Sequence, residues 1–326
     1  MSKKPLIAIV GPTAVGKTEL SIRLAQALNG EVINGDAFQI YKGLDIGTAK
    51  VTEDEKEGIK HHLVDAYNPD EPYSVYKFKE DVSNIIDDIH NRGKLPILVG
   101  GSGLYVQSVL YDYHLEKEEI TSEELEKINN KFDELSNYTN IELHNYLKEF
   151  DPETASSVHP NNRQRVERAI EYYLKTKKTL SERKKSQTFS GKYGTLLIGI
   201  DMSRETLYER INMRVDMMLE RGLLREVSNL VDMGYEHSQS MQAIGYKELI
   251  PVVKGEKDID IAIEQIKQNS RRYAKRQLTW FKNKMNVTWF QRDEQSLSEI
   301  ADNVIQLSKW RGKSYGRERK YSRSFT

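Results

Sequence analysis

Short apolar runs alternate with segments of helical periodicity along most of the chain. Runs of this kind, rich in Val, Ile and Leu, are typical of strands that are buried on both faces of a parallel sheet. They predict strands at residues 6–10, 31–34, 95–99, 195–200 and 287–290. Because helices separate most of these strands, the pattern predicts an α/β fold with a parallel β-sheet flanked by helices.

The predicted helices lie between and after these strands. Apolar residues three and four positions apart mark the buried face of each helix. We expect helices at residues 19–28, 75–92, 104–111, 204–220, 223–233, 246–253, 259–284 and 297–310. Ser74 is the expected N-cap of the second of these helices. Residues 37–75 show little periodicity and many turn residues, so we expect loops there.

The character of the sequence changes after Tyr111. An acidic, polar stretch with apolar residues at helical spacing is followed by a helix at 158–174 and a strongly basic stretch. The strand pattern resumes at Thr195. We therefore predict that residues 112–194 form an α-helical insertion domain in a core made of residues 1–111 and 195–313. Residues 314–326 are expected to form a basic, flexible tail.

Composition narrows the class of protein. The chain has 326 residues, no net charge and no cysteine, which excludes a disulfide scaffold, thiol catalysis and a cysteine metal site. No run approaches membrane-spanning length, and the first strand follows Met1 too closely for a signal peptide. We therefore expect a cytoplasmic protein without membrane contact. Repeats and heptads are absent from the sequence, so we expect a monomer.

One glycine-containing loop joins the first strand to the first helix. It fits the pattern G-x-x-x-x-G-K-[ST], whose backbone N–H groups surround a phosphate at a helix N-terminus. Its residues are Gly11, Pro12, Thr13, Ala14, Val15, Gly16, Lys17 and Thr18. Lys17 would reach the terminal phosphate, and the Thr18 hydroxyl would ligate Mg²⁺. The loop predicts a P-loop core, like that of NTPases and kinases, and by itself it indicates ATP binding and phosphoryl transfer.

Two further polar side chains follow predicted strands. Asp36 comes after the second strand, and Ser102 lies in the glycine-rich turn after the third. Ligands of α/β sheets bind beyond the carboxyl ends of the strands, so both residues would face the same crevice as the P-loop. Asp36 would serve as a Mg²⁺ ligand, a general base or only a turn cap. Ser102 would approach a ligand or belong to a tight strand–helix turn.

Basic segments near the C-terminus and in the insertion suit a nucleic acid. Residues 271–281 mix cations with aromatic rings, as RNA-binding surfaces do, although an amphipathic helix with its rings in the core has the same pattern. Arg165 and Arg168 share one face of a helix in the insertion. His61 and His62 have no neighbouring ligands at metal-binding spacing, so they indicate a structural role.

Seven segments, in this order along the chain, resemble the tRNA dimethylallyltransferases of the isopentenyltransferase family. They are residues 11–18, 36–50, 61–65, 99–105, 159–166, 241–246 and 273–277. Two departures stand out. Ala37 and Phe38 replace the usual Ser-Met after Asp36, and Ser102 replaces the usual Thr but keeps the hydroxyl.

This resemblance implies transfer of a dimethylallyl group from dimethylallyl diphosphate to N6 of the adenine immediately 3′ of the anticodon, position 37 of tRNA. It implies that the P-loop holds the diphosphate with Mg²⁺ and that Lys17 and Arg214 neutralise it. Asp36 would be the general base for the adenine amine. Ser102 would hydrogen-bond the base or assist Asp36.

The resemblance also implies contacts with the anticodon stem-loop. The adenine must leave its stack to reach a deep crevice, at a cost of a few kcal/mol. The insertion would grip the stem-loop, and residues from four other segments would line the opening of the crevice. The implied contacts are Asp36, Ala37, Phe38, Gln39, Ser102, Gln164, Arg165, Val166, Glu167, Arg168, Gln242, Lys275, Arg276 and Gln277.

Three other functions share parts of this pattern. A nucleotide kinase has the P-loop, an Asp after the second strand and a lid-like insertion. An adenylate isopentenyltransferase acts on free AMP or ATP, although the basic insertion and residues 273–281 argue for tRNA. A non-catalytic RNA-binding P-loop protein would not need Lys17, Thr18, Asp36 and Ser102 together.

Overall fold

Residues 3–111, 121–186 and 191–321 are described by a computed structural model of the chain. Six strands form its sheet. They are β1 (Pro5–Val10), β2 (Gly30–Asn34), β3 (His61–His62), β4 (Leu95–Gly100), β5 (Gly194–Asp201) and β6 (Thr288–Gln291). Their order in the sheet is β3-β2-β4-β1-β5-β6, and every neighbouring pair is parallel. The predicted parallel α/β fold is confirmed.

The helices follow in chain order. They are α1 (Lys17–Leu28), α2 (Glu53–Lys56), α3 (Val75–Asn91), α4 (Gly103–Leu110), α5 (Ser122–Ser136), α6 (Asn140–Phe150), α7 (Pro152–Ser157), α8 (Arg163–Thr176), α9 (Leu180–Ser186), α10 (Arg204–Glu220), α11 (Leu223–Asp232), α12 (Tyr246–Val253), α13 (Ile259–Lys284) and α14 (Leu297–Tyr321). Ser74 caps α3 as expected, since its side chain accepts a hydrogen bond from the Lys77 N–H.

The register of the sheet brings several chain segments to one edge. Val10 at the end of β1 pairs with Gly100 of β4 and with Gly199 of β5. Asn34 at the end of β2 pairs with Val99 of β4. The turns after β1, β2 and β4 therefore meet at the carboxyl edge of the sheet. These turns carry the P-loop, Asp36 and Ser102.

The four inner strands β1, β2, β4 and β5 are mostly buried because helices cover the sheet. Ile9 and Ile198 are fully buried in one core cluster with Leu20 and Leu24 of α1. Ile300 and Val304 of α14 belong to the same cluster. Strands surrounded in this way read as continuous apolar runs, which is why the sequence revealed them.

Two regions differ from the sequence-based expectations. Residues 37–75 were expected to be loops, but they contain β3 and the short helix α2. Each of these elements is too short to show a periodic pattern. The last helix, α14, continues to Tyr321, so the backbone of residues 314–321 is helical where we expected a flexible tail. Residues 322–326 of that tail lie outside the described residues.

The chain divides into two compact units. One consists of Met1–Leu110 and Gly191–Thr326, and the other of Tyr111–Ser190. The second unit contains α5 to α9 and has its own core, which includes Leu135, Leu147, Val166 and Ile170. Asp151 and the threonines before α5 and α6 cap helices in this unit. Among the described residues of either unit, no helix is long and apolar enough to cross a membrane.

Candidate active site

The P-loop backbone takes the conformation that a phosphate cradle needs. Gly11 and Gly16 have φ angles of 146° and 101°, in the left-handed range that favours glycine. A Cβ on Gly11 would lie 2.4 Å from the carbonyl oxygen of Ile200 on β5, so no side chain fits there. The loop therefore lies directly against the neighbouring strand, with the first turn of α1 behind it.

Lys17 lies inside this loop in surroundings that disfavour its charge. Its Nζ donates a hydrogen bond of 2.6 Å to the Pro12 carbonyl. Burial, followed by the charge of Arg214, lowers the pKa of Lys17 to about 7, while Asp36 acts in the opposite direction. A bound polyanion would remove this penalty, which is the electrostatic signature of a site built for phosphates.

Two arginines of α10 face the loop. Burial lowers the pKa of Arg214, and the carboxylate of Asp36 opposes that effect. Arg210, one helical turn earlier, donates a hydrogen bond of 3.0 Å from Nε to the Ala14 carbonyl. Lys17, Arg214 and Asp36 are therefore close enough for their charges to interact. Contact between Arg214 and a diphosphate stays a prediction from the family resemblance.

Asp36 is held by a tight turn after β2. Its Oδ1 accepts a hydrogen bond from the Phe38 N–H at 2.9 Å, and its own N–H donates to Asn34 Oδ1 at 3.0 Å. Asn34 is in turn fixed by a 2.9 Å hydrogen bond to the Leu63 carbonyl. Among the described residues, Asp36 Oδ2 has no hydrogen-bond donor. Asp36 is thus a turn cap and also presents a free carboxylate oxygen beside Lys17.

Ser102 and Asp36 lie in two turns that pack against each other through Gly100 and Gly35. Its Oγ accepts a long hydrogen bond of 3.4 Å from the Ala37 N–H. A Cβ on Gly100 would lie 2.3 Å from the Gly35 carbonyl oxygen, so glycine is what lets the two turns approach. The structure therefore brings Asp36 and Ser102 together, as the strand ends predicted. The backbone N–H groups of Ala37 and Phe38 make these contacts, and any residue other than proline supplies them.

The long helix α13 contributes two further polar groups. Gln277 is only 4% exposed, and its Oε1 accepts a hydrogen bond of 2.9 Å from the Thr13 N–H of the P-loop. Tyr273 lies one turn earlier. Burial and the charge of Asp36 raise the pKa of its hydroxyl to about 12, and hydrogen bonding with Ser102 and Gln277 opposes the shift. The expectation that Gln277 lines an opening is wrong, because its side chain is buried against the P-loop.

Gln39 belongs to a loop that hydrogen bonds hold in place. Its Nε2 donates to the carbonyls of Thr48 and Ala49 at 3.1 and 3.4 Å. The same loop binds Glu226 of α11. The carboxylate of Glu226 accepts hydrogen bonds from the N–H groups of residues 45–47, which follow Gln39, and from the Tyr246 hydroxyl. Of the other residues expected at the opening, Gln242, Lys275 and Arg276 are exposed.

The residues present fit a magnesium ion only together with a phosphorylated ligand. Thr18 is exposed at the first turn of α1, which is where a P-loop hydroxyl binds Mg²⁺. No cluster of three or more His, Cys, Asp or Glu suited to a metal occurs among the described residues. His62 Nε2 instead lies 2.7 Å from Glu31, and His61 Nδ1 lies 2.9 Å from the Ile59 carbonyl oxygen.

Comparisons with known proteins decide what kind of site this is. A family model described as IPP transferase matches residues 39–284. A tRNA dimethylallyltransferase of Staphylococcus haemolyticus is 55% identical over 326 residues, covering 100% of this chain and 98% of the relative. The chain belongs to the tRNA dimethylallyltransferase family. It is an enzyme of that family, so the nucleotide kinase and the non-catalytic RNA-binding protein are excluded.

Solved structures agree with this tRNA dimethylallyltransferase assignment. The crystal structure of a tRNA isopentenylpyrophosphate transferase from Staphylococcus epidermidis has 57% identity and a TM-score of 0.71, covering 95% of this chain and all of that one. A eukaryotic dimethylallyltransferase acting on tRNA has 35% identity and a TM-score of 0.77, covering 94% and 77% of the two chains. The P-loop sheet is thus the fold of this family of transferases.

The second unit of this tRNA dimethylallyltransferase contains α8, the helix on which contacts with RNA are expected. Gln164, Arg165 and Arg168 are exposed on this helix. Val166 is fully buried in the core of the unit, so the expectation that it contacts RNA is wrong. Glu167 forms an ion pair of 2.8 Å with Arg163 of the same helix. Helical spacing accounts for this division, because Val166 faces inward while its neighbours face outward.

Sequence reasoning missed Arg210 and the positions of Tyr273 and Gln277. Arg210 precedes Arg214 by four residues, so their shared helix face was the available signal. The aromatic residues at 273–281 were interpreted either as an RNA surface or as core. Phe281 is fully buried, and Trp280 packs on Gly103, whose Cβ would lie 2.3 Å from the indole. For these two rings the core interpretation holds.

Proposed function

We propose that this chain transfers a dimethylallyl group from dimethylallyl diphosphate to N6 of adenine 37 in tRNA, with the diphosphate in the P-loop and the adenine between Asp36 and Ser102. One observation carries the proposal. Burial lowers the pKa of Lys17 and of Arg214, and the carboxylate of Asp36 acts against that lowering at both, so a candidate base lies close enough to interact with the two cations proposed to bind phosphate. Prenyl transfer to an amine needs both at one point.

The cations act on the leaving group. As the bond between C1 of the dimethylallyl group and the bridging oxygen breaks, its electron pair passes to the diphosphate. Lys17, Arg214 and the P-loop N–H groups stabilise that charge, and they are already in place before the reaction. Thr18 would hold Mg²⁺, which supplies further neutralisation of the diphosphate when bound. The burial that lowers the pKa of Lys17 and of Arg214 makes their attraction for the diphosphate stronger than in water.

Asp36 and Ser102 act on the acceptor. The N6 lone pair of adenine forms the new bond to C1, and N6 then loses a proton to the free carboxylate oxygen of Asp36. The amine is a weak nucleophile because its lone pair is delocalised into the ring, so proton removal as it attacks helps the reaction. The Ser102 hydroxyl, which lies near the Ala37 N–H, orients the adenine by a hydrogen bond.

Binding of tRNA rests on charged and polar side chains outside the crevice. Gln164, Arg165 and Arg168 on α8 are the proposed contacts of the insertion with the stem-loop. Lys275 and Arg276 on α13 and the exposed Gln242 are proposed to lie near the flipped nucleotide, with Gln39 fixed in its loop. Arg276 also stacks on the ring of Tyr273, 5.7 Å from its centroid.

The test uses radiolabelled dimethylallyl diphosphate and Mg²⁺ with three acceptors: unmodified tRNA, the same tRNA with guanine at position 37, and free AMP. We expect label only in the unmodified tRNA, because guanine has no N6 amine. Label in AMP alone would replace the proposal with an adenylate isopentenyltransferase. Equal labelling of both tRNAs would contradict adenine 37 as the acceptor.

A further inference from the structure

One face of α13 lies across both halves of the candidate site. Tyr273, Gln277 and Trp280 are spaced four and three residues apart, so they project from the same side of the helix. Trp280 packs against Gly103 at the start of α4, next to Ser102. The same face reaches the P-loop through Gln277. This helix is therefore the element that touches the phosphate side and the acceptor side together.

Gln277 makes the contact with the phosphate side. Its Oε1 accepts the 2.9 Å hydrogen bond from the Thr13 N–H. A Cβ on Gly101 would lie 2.0 Å from its Nε2, so glycine at position 101 leaves the space that the carboxamide occupies here. The carboxamide thus fills the space between the P-loop and the turn that carries Ser102.

Tyr273 makes the contact with the acceptor side. Its half-buried side chain projects from the face of α13 whose Gln277 and Trp280 contact Gly101 and Gly103, on either side of Ser102. Burial and the charge of Asp36 raise the pKa of its hydroxyl, and Ser102 and Gln277 act in the opposite direction. Ser102 itself is linked to the Ala37 N–H beside Asp36. The turn that carries Ser102 therefore lies between the turn that carries Asp36 and the face of α13 that holds Tyr273 and binds the P-loop through Gln277.

We propose that Tyr273 and Gln277 are positioning residues that fix the Ser102 hydroxyl relative to the P-loop, so that the adenine amine and C1 of the diphosphate substrate meet at reacting distance. The inference rests on the proposed function of Ser102 and the P-loop. Transfer between two substrates held by different turns depends on the distance between those turns. A displacement of about 1 Å at such a point can cost 10²-fold in rate.

The test is a double-mutant cycle on the single-turnover rate of transfer, with both substrates saturating. Tyr273→Phe keeps the ring and removes only the hydroxyl. We expect it to slow transfer about 10-fold in the parent protein and to have almost no further effect when Ser102 is already replaced in Ser102→Ala. The KM values for dimethylallyl diphosphate and tRNA should change less than about twofold, because the binding contacts remain.

Gln277→Ala is the second arm of the cycle. We expect a similar loss of rate, again with little added effect in the Tyr273→Phe background. Gln268→Ala is the matched control, since Gln268 is an exposed glutamine on the same helix, and it should transfer at the parent rate. Thermal unfolding of each variant checks the fold. If Gln277→Ala does not fold, the Tyr273 and Ser102 arm decides alone.

The outcomes separate the inference from the function on which it depends. Multiplicative, independent losses in Tyr273→Phe and Ser102→Ala would overturn the positioning role and leave the proposed function intact. A parent-like rate in Tyr273→Phe would also overturn it. A parent-like rate in Ser102→Ala would instead show that Ser102 takes no part in the reaction. It would contradict both the positioning role of Tyr273 and Gln277 and the proposed role of Ser102 in orienting the adenine.

Discussion

In the protein without a bound anion, burial makes the charged form of Lys17 unfavourable. Its ammonium group lies near Arg214, and neither its hydrogen bond to the Pro12 carbonyl nor the carboxylate of Asp36 offsets the burial that lowers its pKa. Such an arrangement is unfavourable until an anion binds, and then each cation gains a partner. The site thus keeps part of its electrostatic energy available for the diphosphate, where charge develops during transfer.

A pH dependence of diphosphate binding follows. With a pKa of about 7, Lys17 loses its proton as the pH rises above 7 and must regain it when the anion binds. Affinity for inorganic diphosphate should therefore fall with rising pH, by up to about tenfold per unit between pH 7 and 9. Lys17→Arg is the control for titration of diphosphate itself, because arginine stays protonated. Isothermal titration of both proteins gives the difference; parallel pH profiles would contradict the lowered pKa.

Asp36 can be tested without breaking its turn. Asp36→Asn keeps an oxygen to accept the Phe38 N–H hydrogen bond but removes the base. We expect turnover to fall about 10²–10⁴-fold while tRNA binding changes little. Asn34→Ala, which loosens the same turn and leaves the carboxylate in place, serves as the comparison. Near-normal turnover in Asp36→Asn would reject the general-base role.

At this scale the sequence was most informative where a residue follows a strand. Lys17, Asp36 and Ser102 were located because parallel strands deliver their carboxyl ends to one edge. Gln277 and Val166 were misjudged for the opposite reason. Each lies on a helix, and which side of a helix is buried depends on the elements packed against it. No local sequence pattern predicts that the polar side chain of Gln277 faces the P-loop.

At the scale of elements, the starts of β2 and β4 are joined by a buried ion cluster. Glu31 on β2 is 1% exposed, and its carboxylate binds Arg92 and Lys94, with His62 of β3 at 2.7 Å. Hydrogen bonding to Arg92 is the largest of the effects that hold the pKa of Glu31 well below its usual range. The cluster lies at the end of the strands away from the P-loop.

Glu31→Gln should therefore lower stability and leave catalysis intact. It removes the anion that Arg92 and Lys94 share, although Arg92 keeps its ion pair with Asp88, and we expect a loss of up to about 3 kcal/mol in the free energy of unfolding, measured in urea. Because the pKa of Glu31 is lowered by folding, its contribution is present above the unfolded pKa and is lost as the pH falls below about 4.5. In the variant, the free energy of unfolding should no longer contain this pH-dependent contribution of Glu31. An unchanged urea midpoint at pH 7 would contradict the prediction.

The elements that the sequence missed were the short ones. β3 has two residues and α2 has four, and neither is long enough for a period to appear. The boundaries of α8 and α14 also differed from the expected ones, since capping and packing decide where a helix ends. The long apolar strands and α13 were predicted correctly because their patterns extend over many residues.

At the scale of the molecule, one unit holds the candidate chemistry and the other holds the exposed cations of α8. The chain carries no net charge, so attraction for a polyanion has to come from local surfaces rather than from the whole protein. Family membership was predicted from the order of seven motifs, and the fold from the apolar runs, the helical periodicity and the P-loop. The relation between the two units in a complex with tRNA was not, since nothing in the sequence fixes it.

Arg168→Ala tests the RNA role of the second unit. We expect weaker binding of tRNA at all ionic strengths, and a slope of log affinity against log salt that is smaller by about one. Lys127→Ala is the control, because Lys127 is an exposed cation of the same unit that is already paired with Glu123. Filter binding between low and physiological salt measures both. Identical slopes for the two variants would show that α8 makes no phosphate contact.

The way the second unit leaves and rejoins the first has an evolutionary consequence. The N–H of Lys192 donates a hydrogen bond of 3.0 Å to the carbonyl of Leu110, so the two ends of the first unit meet at the junction. A segment with adjacent ends can grow, shrink or be exchanged during descent without shifting the register of any strand. A change in this segment would therefore alter the proposed RNA contacts of α8 without disturbing the sheet that carries the candidate site.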